Sequence, residues 1–364
     1  MGRILKWRTW LVCRAPSSSL KTTYGDPLAV KPHVIVELED EDGRCGYGEA
    51  TPLPKFTGET ARSIQLILEA ELLPLLSNRE CTHVSALVDA MDLHIHGNPA
   101  AKAAVDMALY DLAAKELEVP EYVLLGGLFR PQVMLNRHIG ICSVEEAVGL
   151  ARGFAEQGCQ SIKMKVGNDP EEDIRRVIAV RQAIGSRALR IDANQGYSLA
   201  SARRVLEALQ NQDLQYCEQP LPARDYEGLR MLKNSVAVPI GVDESLLSLQ
   251  DAMRIAECHC ADVCVIKLIK TGGLFRARQL AAIAEAAGMQ CVVTSAFDTQ
   301  IGAAHCLHLA AALPNAKLAC DLTCYATQPQ LARTAHQLSD GALAVGQVPG
   351  CGVVNIAELA REMR

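Results

Sequence analysis

The stretch SIKMKV at Ser161–Val166 decides how the middle of the chain folds. It is a short apolar run that carries two lysines at alternate positions, and alternation along a β-strand sends both side chains to one face. A charge inside an apolar strand is costly unless another charge or a ligand compensates it. We therefore expect a strand whose lysines, Lys163 and Lys165, face a functional site.

Similar apolar runs recur along the chain and alternate with amphipathic helical segments. The predicted strands are Val133–Ile139, Ser161–Val166, Leu189–Asn194, Tyr216–Pro220, Ile240–Glu244, Val263–Leu268, Cys291–Ala296 and Leu318–Thr323. Strands that alternate with helices indicate parallel βα units, and this number of units is typical of a (β/α) barrel. An open doubly wound sheet is the competing fold, but its Gly-x-Gly-x-x-Gly turn is absent from the sequence.

The first part of the chain has a different pattern. His33–Glu39 and Cys45–Ala50 predict antiparallel strands around a turn, and helices are expected over Thr60–Leu76 and Pro99–Leu117. We predict an α+β domain at 1–127 and a barrel domain at 128–326. The remaining segment, 327–364, leaves the barrel rhythm, and we expect it to return to the N-terminal domain.

Ionisable residues occupy the same phase of successive βα units. Lys165, Asp192, Glu218, Asp243 and Lys267 are separated by 27, 26, 25 and 24 residues. Parallel barrels carry their active sites at the C-terminal ends of the strands, where these residues are expected. The three carboxylates are hard oxygen ligands that suit Mg²⁺ better than zinc, and their mutual repulsion requires a cation. The sequence therefore predicts one bound Mg²⁺.

The two lysines of this series are expected to flank the metal from opposite sides. A proton next to a carboxylate is weakly acidic, and its removal creates negative charge that a metal ion stabilises. Lys165 or Lys267 could take the proton on one face while the other delivers a proton to the opposite face. A lysine acts as a base when its pKa is depressed, as a second ammonium and a dication would do.

Five motifs contain these residues: Lys163-Met164-Lys165, Asp192-Ala193-Asn194-Gln195, Glu218-Gln219-Pro220, Asp243-Glu244-Ser245 and Lys267–Gly273. Together they resemble the muconate lactonizing enzyme subgroup of the enolase superfamily, and look nearest to the dipeptide epimerases. The resemblance covers nearly the whole chain. It implies an α/β fold, a modified TIM barrel (β/α)7β with an α+β capping domain built from the N-terminal region and the C-terminal tail. A loop near Pro16–Pro27 would close over the ligand.

The resemblance also implies roles for the motif residues. Asp192, Glu218 and Asp243 correspond to the metal ligands. Lys165 corresponds to the base on one face and Lys267 to the acid/base on the other. The remaining lysine of the first motif, Lys163, would help to neutralise the substrate carboxylate, and Asn194 and Glu244 would support the metal ligands from behind.

Two positions depart from the dipeptide epimerase pattern. Asp321-Leu322-Thr323 stands where those enzymes usually carry Asp-x-Asp, and Asp298 stands where they carry a longer glutamate. We expect Asp298, Asp321 and Thr323 to bind the substrate. Because a lone Asp321 could still pair with an ammonium group, we predict a carboxylate substrate with an amino or acylamino group on its far side.

The predicted activity is that of a Mg²⁺-dependent racemase or epimerase that acts on a dipeptide or an N-acylamino acid. Both lysines also occur in relatives that do not racemise. A muconate-type cycloisomerase and a syn-dehydratase or o-succinylbenzoate synthase-like lyase therefore stay open as alternatives. A catalytically inactive barrel that serves as a binding protein is a further alternative, although no ligand or lysine is missing from the sequence.

Composition narrows the partners and the compartment. The 364 residues have a net charge of −6, which disfavours nucleic acid and anionic membranes as partners. No apolar run is long enough for a spanning helix, and the N-terminus lacks the features of a signal peptide. The fourteen cysteines are interpreted as reduced thiols, which favours a cytoplasmic location. The expected partners are a small carboxylate and further copies of the chain.

Overall fold

The computed structural model describes residues 2–14, 20–25, 30–322, 324–327 and 333–356. The chain opens with three antiparallel strands, β1 (Ile4–Arg14), β2 (Lys31–Asp40) and β3 (Cys45–Ala50). β2 is the central strand of this sheet, and its alternating apolar residues are buried on both faces. Gly43, with a φ of 78°, lies in the turn between β2 and β3, where a left-handed backbone favours glycine.

Helices cover one face of this capping sheet. They are α1 (Pro54–Thr57), α2 (Ala61–Ile67), α3 (Val84–His94), α4 (Pro99–Glu116) and α5 (Glu121–Leu124). The regular helix expected over Thr60–Leu76 is wrong in detail, because α2 gives way to a π-helical turn (Leu68–Leu72) and a 3₁₀ turn (Leu73–Leu76). Pro74 has no backbone N–H to donate, so a regular helix could not continue through it.

Helix α4 packs directly on β3. A side chain at Gly48 would place its Cβ 1.9 Å from the carbonyl oxygen of Ala104, and one at Gly46 would place it 2.3 Å from that of Ala108. Only glycine allows this close approach of helix and strand. The result is a helix that is buried almost all round, between the capping sheet and the barrel.

The middle of the chain forms a parallel sheet with helices outside it. Its strands are β5 (Arg137–Ile139), β6 (Ser161–Lys165), β7 (Ala188–Asp192), β8 (Leu214–Glu218), β9 (Ile240–Val242), β10 (Val263–Ile266) and β11 (Gln290–Val293). A short strand outside this sheet, β4 (Gln132–Met134), precedes β5. The helices are α6 (Val144–Glu156), α7 (Pro170–Ile184), α8 (Leu199–Ala208), α9 (Tyr226–Lys233), α10 (Leu249–Cys258), α11 (Leu268–Thr271), α12 (Leu274–Ala286) and α13 (Gln300–Ala312). Strands β5 to β11 are hydrogen-bonded in sequence order.

Two residues after α13 close this sheet into a barrel. Asp321 forms a parallel bridge with Thr294 after β11, and Cys320 forms one with Leu135 before β5. The predicted (β/α)7β barrel is thereby confirmed, although the predicted eighth strand is reduced to these bridges. The predicted first strand divides into β4 and β5, because β4 pairs antiparallel with a strand of the C-terminal tail, Ala342–Ala344.

The C-terminal tail contains α14 (Cys324–Thr327), β12 (Arg333–Thr334), β13 (Gln337–Ser339), β14 (Ala342–Ala344) and β15 (Val353–Asn355). It returns to the N-terminal region as expected. The backbone N–H of Gly350 donates to the carbonyl of Val119 at 3.0 Å, and that of Cys351 donates to Asp111 Oδ1 at 2.8 Å. The domain boundaries after 127 and 326 stay predictions. Within the described ranges, we find no helix with the length and apolar character needed to cross a membrane.

Candidate active site

The strand ends bring the predicted ionisable residues to one mouth of the barrel. Asp192 ends β7 and Glu218 ends β8, while Asp243 and Lys267 directly follow β9 and β10. In the sheet register Lys165 lies opposite Asp192, and Asp192 lies opposite Glu218. All five side chains are at least nine-tenths buried. The regular spacing in the sequence thus becomes a ring of adjacent charged groups.

Lys163 and Lys165 bind different carboxylates. The Nζ of Lys163 lies 2.8 Å from a carboxylate oxygen of Glu218, 3.2 Å from Asp192 Oδ2 and 3.1 Å from Asp321 Oδ2. The Nζ of Lys165 lies 2.6 Å from Asp192 Oδ2 and donates to Asn194 Oδ1 at 3.0 Å. Lys163 is therefore surrounded by carboxylates, whereas Lys165 keeps a more open position at the strand end.

Asp243 is held by two lysines on the other side of the mouth. Lys267 Nζ donates to its Oδ2 and Lys270 Nζ to its Oδ1. Lys270 also donates to the Asp243 carbonyl at 2.6 Å and to that of Val265 at 3.2 Å. Sequence reasoning did not single out Lys270, although it stands in the same motif as Lys267.

These contacts set the protonation of the buried groups. Burial, reinforced by Asp192 and Asp243, raises the pKa of Glu218 to about 8. Burial also opposes ionisation of Asp243, but Lys267 and Lys270 outweigh it and lower the Asp243 pKa to about 2. For Lys267, burial lowers the pKa, but Asp243 and Glu218 outweigh that effect and raise it. The protein's own groups thus do not depress the Lys267 pKa as the sequence analysis expected.

The donor set of the barrel mouth fits a magnesium ion. Three carboxylates end consecutive strands, and no thiolate or imidazole stands among them, which is the chemistry that Mg²⁺ prefers. The raised pKa of Glu218 reflects burial first and then the neighbouring charges of Asp192 and Asp243, and a dication would counter both effects. Asp192, Glu218 and Asp243 are therefore the residues that would hold the ion.

Spacing of the ligand atoms adds a detail to this assignment. Within the described part of the chain, one group of three side chains brings its potential ligand atoms within 4.8 Å of one another. It consists of Glu37, Glu39 and Cys45 on the capping sheet. Arg8 and Lys6 pair with the two glutamates there, so this group has its charge compensated. The barrel carboxylates lie further apart, with lysine ammonium groups between them.

The two residues expected behind the metal ligands form one network. The backbone N–H of Asn194 donates to Asp192 Oδ1 at 3.0 Å, and its side-chain amide donates to Glu244 Oε1 at 3.1 Å. Tyr24 from the N-terminal region donates its hydroxyl to the same Glu244 oxygen at 2.5 Å and accepts from Gln195 at 2.7 Å. A capping residue thus completes the support of the barrel carboxylates.

A second capping segment lies over Lys267. The ring centroid of Phe56 in α1 is 4.7 Å from Lys267 Nζ. Phe56 meets the ring of Tyr24 edge to face at 6.0 Å, and Lys55 donates to the Tyr24 carbonyl at 2.8 Å. The two capping segments therefore meet above one of the two lysines and shield it from solvent.

Asp321 does not stand free in the site. Its Oδ1 accepts a hydrogen bond from Asn136 Nδ2 at 2.9 Å and lies 3.2 Å from His138 Nε2. Its Oδ2 accepts from Lys163 at 3.1 Å. The expectation that Asp321 is available to a substrate ammonium is not favoured by these contacts, because a buried ammonium of the protein already pairs with it.

Asp298 lies where the barrel meets the capping sheet. Its Oδ2 accepts from the backbone N–H of Ala296 at 3.0 Å, and burial together with Glu49 raises its pKa to about 6. Lys31 from β2 reaches the same loop, donating to the Ala296 carbonyl at 3.0 Å with its Nζ 4.0 Å from the ring centroid of Phe297. The substrate-binding role of Asp298 stays a prediction. Thr323 lies outside the described residues.

Sequence reasoning missed several residues of the mouth. His138 precedes Lys163 by 25 residues and so follows the same phase as the other strand ends, a signal that could have identified it. Tyr24 lies in the loop near Pro16–Pro27 that the resemblance places over the ligand, but the residue itself was not named. Lys31 and Phe56 had no such signal, because they come from capping segments that reach the barrel only through the tertiary fold.

Comparisons with known proteins agree with this geometry. The model of the mandelate racemase / muconate lactonizing enzyme N-terminal domain matches residues 15–126, and that of the enolase C-terminal domain-like family matches residues 146–358. N-succinyl-L-Arg/Lys racemase of Bacillus cereus is 34% identical over 281 residues, 77% of this chain and 76% of that protein. Muconate cycloisomerase 1 of Rhodococcus opacus is 32% identical over 353 residues, 92% of this chain and 95% of that protein.

A solved structure resembles the whole chain. It is a dipeptide epimerase from Enterococcus faecalis complexed with Mg and the dipeptide L-Leu-L-Tyr. The TM-score is 0.92 at 31% identity, and the match covers 97% of this chain and 100% of that one. Two domain models, near-complete relatives and the ring of strand-end residues lead to one conclusion. The chain belongs to the muconate lactonizing enzyme subgroup of the enolase superfamily.

Proposed function

We propose that this chain, an isomerase of the enolase superfamily, catalyses Mg²⁺-dependent racemisation or epimerisation at the carbon next to a carboxylate, on a dipeptide or an N-acylamino acid. One observation supports this most. Lys165 stands on β6 and Lys267 follows β10, and the strands between them are those that carry Asp192, Glu218 and Asp243. A substrate whose carboxylate binds near a Mg²⁺ held by these three residues would present its α-carbon to one lysine on each face.

The lysines perform the proton transfers. The lysine on one face acts in its neutral amine form and takes the α-proton of the substrate, becoming an ammonium. The ammonium on the opposite face donates a proton to the same carbon and is left as the amine. Lys267, whose pKa the neighbouring carboxylates raise, is ready to donate. Lys165, bound to one carboxylate and one amide oxygen, is the candidate base. Bound Mg²⁺ supplies positive charge that stabilises the negative charge developing on the substrate.

The capping segments exclude water from this exchange. Phe56 covers Lys267, and Tyr24 closes over the network of Asn194 and Glu244. Water then does not protonate the α-carbon directly, so solvent hydrogen reaches that carbon through the exchangeable protons of the lysines. Exclusion of water also strengthens the electrostatic interactions between the ligands and the substrate.

Isotope exchange tests the proposal. A panel of dipeptides and N-acylamino acids is incubated in D₂O with the Mg²⁺-loaded protein, and loss of the α-proton signal is followed by NMR. Lys165→Ala and Lys267→Ala should each abolish racemisation, and one of them should still exchange the α-proton of a single enantiomer. Lys233→Ala on the outer helix α9 is the matched control and should behave as the unchanged protein. Normal racemisation in both active-site variants would refute the two-lysine mechanism.

A cycloisomerase is the second candidate. Muconate cycloisomerase 1 covers more of this chain than the racemase relative does. That reaction needs proton transfer on one face, so one lysine would be catalytic and the other electrostatic. Substantial turnover of a muconate by Lys267→Ala, with no exchange on the amino acid panel, would favour this activity.

The proposal also covers the cellular location of the protein and its oligomeric state. Every one of the fourteen cysteines is a free thiol, and nine or more of them are buried, which suits a reducing cytoplasm. We propose a homo-oligomer that binds a small carboxylate. Light scattering of the purified protein measures its mass and would refute this if it found a monomer.

A further inference from the structure

His138 is a buried histidine at the barrel mouth whose ring nitrogens have no hydrogen-bond partners among the described residues. It stands on β5 in register with Lys163, so its side chain enters the barrel on the same side. The side chain is 10% exposed, and Nε2 lies 3.2 Å from Asp321 Oδ1 without the alignment of a hydrogen bond. Buried polar atoms are normally hydrogen-bonded, so Nδ1, and Nε2 with only its misaligned contact to Asp321, leave hydrogen-bonding capacity that a ligand could use.

Thr294 lies on the other side of Asp321 and shares this property. It is bridged to Asp321 and is 5% exposed, and its hydroxyl oxygen has no hydrogen-bond partner among the described residues. His138 and Thr294 therefore flank one carboxylate on neighbouring strands. Asp321 itself already binds Asn136 and Lys163.

The side chains of His138 and Thr294 are both uncharged. Burial lowers the pKa of His138, and although Asp321 opposes this, Lys163 and Lys165 add to it. A neutral imidazole offers one N–H donor and one nitrogen acceptor, and a threonine hydroxyl offers both. An amide group, with one N–H and one carbonyl, matches this set. An ammonium group offers donors only and requires negative charge.

Charge at the barrel mouth also disfavours an ammonium group. Within the described residues, as many cationic side chains as carboxylates are buried there. They are Lys163, Lys165, Arg190, Lys267 and Lys270 against Asp192, Glu218, Asp243, Glu244 and Asp321. A divalent cation adds more positive charge than one substrate carboxylate removes. A second cation beside Asp321 would then lie in a site with surplus positive charge.

We propose that His138 and Thr294 hydrogen-bond the amide of an N-acylated amino acid, and that the site selects an uncharged or anionic acyl group over the free ammonium of a dipeptide. This inference rests on the proposed function and narrows its substrate class. The acyl carbonyl accepts from the imidazole or the hydroxyl, and the amide N–H donates to the remaining acceptor.

Matched substrate pairs test this selection. N-propionyl-L-leucine differs from L-alanyl-L-leucine only by a hydrogen in place of the ammonium group, and arginine and glutamate provide similar pairs. With the Mg²⁺-loaded protein, we expect the rate of α-proton exchange at low substrate to be about tenfold or more higher for the N-propionyl member, the effect of an unfavourable buried charge. A preference for the dipeptide in every pair would overturn the proposal.

Variants test the residues. His138→Phe should raise the KM of the N-propionyl substrate about tenfold with a much smaller change in kcat, because one or two neutral hydrogen bonds are lost. Thr294→Val should raise it about fivefold, the effect of one such bond. The control His94→Phe alters an exposed histidine at the end of α3 in the capping domain and should leave KM unchanged. An unchanged KM in both site variants would refute the role of these two residues. If His138→Phe does not fold, the KM of Thr294→Val alone tests that role.

Calorimetry separates failure of this inference from failure of the proposed function. If no compound of the panel exchanges its α-proton, the proposed racemisation fails. Binding of N-propionyl-L-leucine in magnesium buffer is then measured for the unchanged protein and for His138→Phe. Binding that weakens about tenfold in the variant would support the amide site independently of the reaction. Absent or equal binding would refute it.

Discussion

Buried carboxylates occupy two regions of this molecule with different partners. At the barrel mouth, Asp192 and Asp243 are paired with lysine ammonium groups. Where the capping domain meets the barrel, Glu49 accepts hydrogen bonds from backbone N–H groups at the start of α13, and within the capping domain Glu59 accepts them from the start of α4. A helix N-terminus stabilises a carboxylate with fixed groups that do not exchange protons, whereas a lysine can give up its proton.

The difference separates function from stability. Carboxylates that face backbone groups hold two parts of the chain together, and their loss leaves unpaired donors in the interior. Carboxylates that face lysines create an interior with strong opposing charges, which stabilises little and suits a metal ion and an acidic substrate. Substitutions in the two regions should therefore change different measured quantities.

Glu218→Gln at the barrel mouth should have the largest effect. Loss of one predicted metal ligand should lower the rate of α-proton exchange about a thousandfold, as removal of a preorganised electrostatic group does. The free energy of unfolding should change by less than about 1 kcal/mol, because Lys163 keeps its contacts with Asp192 and Asp321. Exchange kinetics and urea unfolding measure the two effects. A large loss of stability would show that Glu218 stabilises the fold, as the carboxylates that face backbone groups are expected to do.

Glu49→Gln at the interface should show the reverse. Glu49 accepts hydrogen bonds from the backbone N–H groups of Thr299 and Gly302, from the Thr299 hydroxyl and from His33. A glutamine offers one acceptor oxygen and turns two donors toward this group of donors. We expect the free energy of unfolding to fall by about 2–4 kcal/mol. Urea unfolding at neutral pH measures it, and the exposed Glu69→Gln is the control. An unaltered transition would contradict this role.

His336 should make the interface sensitive to acid. Its Nδ1 accepts from the backbone N–H of Gly346 and its Nε2 donates to the Cys351 carbonyl, which requires the neutral ring. Burial lowers the pKa of His336 to about 4 from 6.5. Stability from the neutral ring is complete above 6.5 and falls as pH falls toward 4, by about 3 kcal/mol.

The variant His336→Gln isolates this contribution. Its free energy of unfolding should fall less steeply between pH 7 and pH 4 than that of the unchanged protein, because glutamine does not titrate. Denaturant unfolding at a series of pH values measures the difference between the two proteins. Parallel pH profiles would show that His336 does not contribute to acid sensitivity.

Tyr24→Phe should have the smallest effect, because it joins the two regions without belonging to the chemistry of either. The variant loses the hydroxyl that binds Glu244 and Gln195 but keeps the ring that packs on Phe56. We expect KM to rise about fivefold, the effect of one hydrogen bond, with little change in kcat. Steady-state kinetics measure both constants. A fall in kcat equal to the rise in KM would indicate that Tyr24 positions the barrel carboxylates during the reaction.

The strand ends show how far sequence reasoning reached in this chain. Asp192, Glu218, Asp243 and Lys267 could be placed together, because the spacing of βα units and the geometry of a parallel barrel suffice to locate strand ends. The division of Val133–Ile139 into two strands could not be foreseen. It depends on β14, which lies about two hundred residues further along the chain and pairs with β4.

Local pattern thus determined the barrel and the series of strand-end charges. These features depend on periodic apolar residues and on spacing within single βα units, which the sequence displays directly. The tertiary structure decided which charge faces which. It placed Lys163 against Asp321, and it left the ring nitrogens of His138 without a hydrogen bond among the described residues. Partner choice depends on distances between side chains of separate strands and of the capping domain, and those distances exist only in the folded chain.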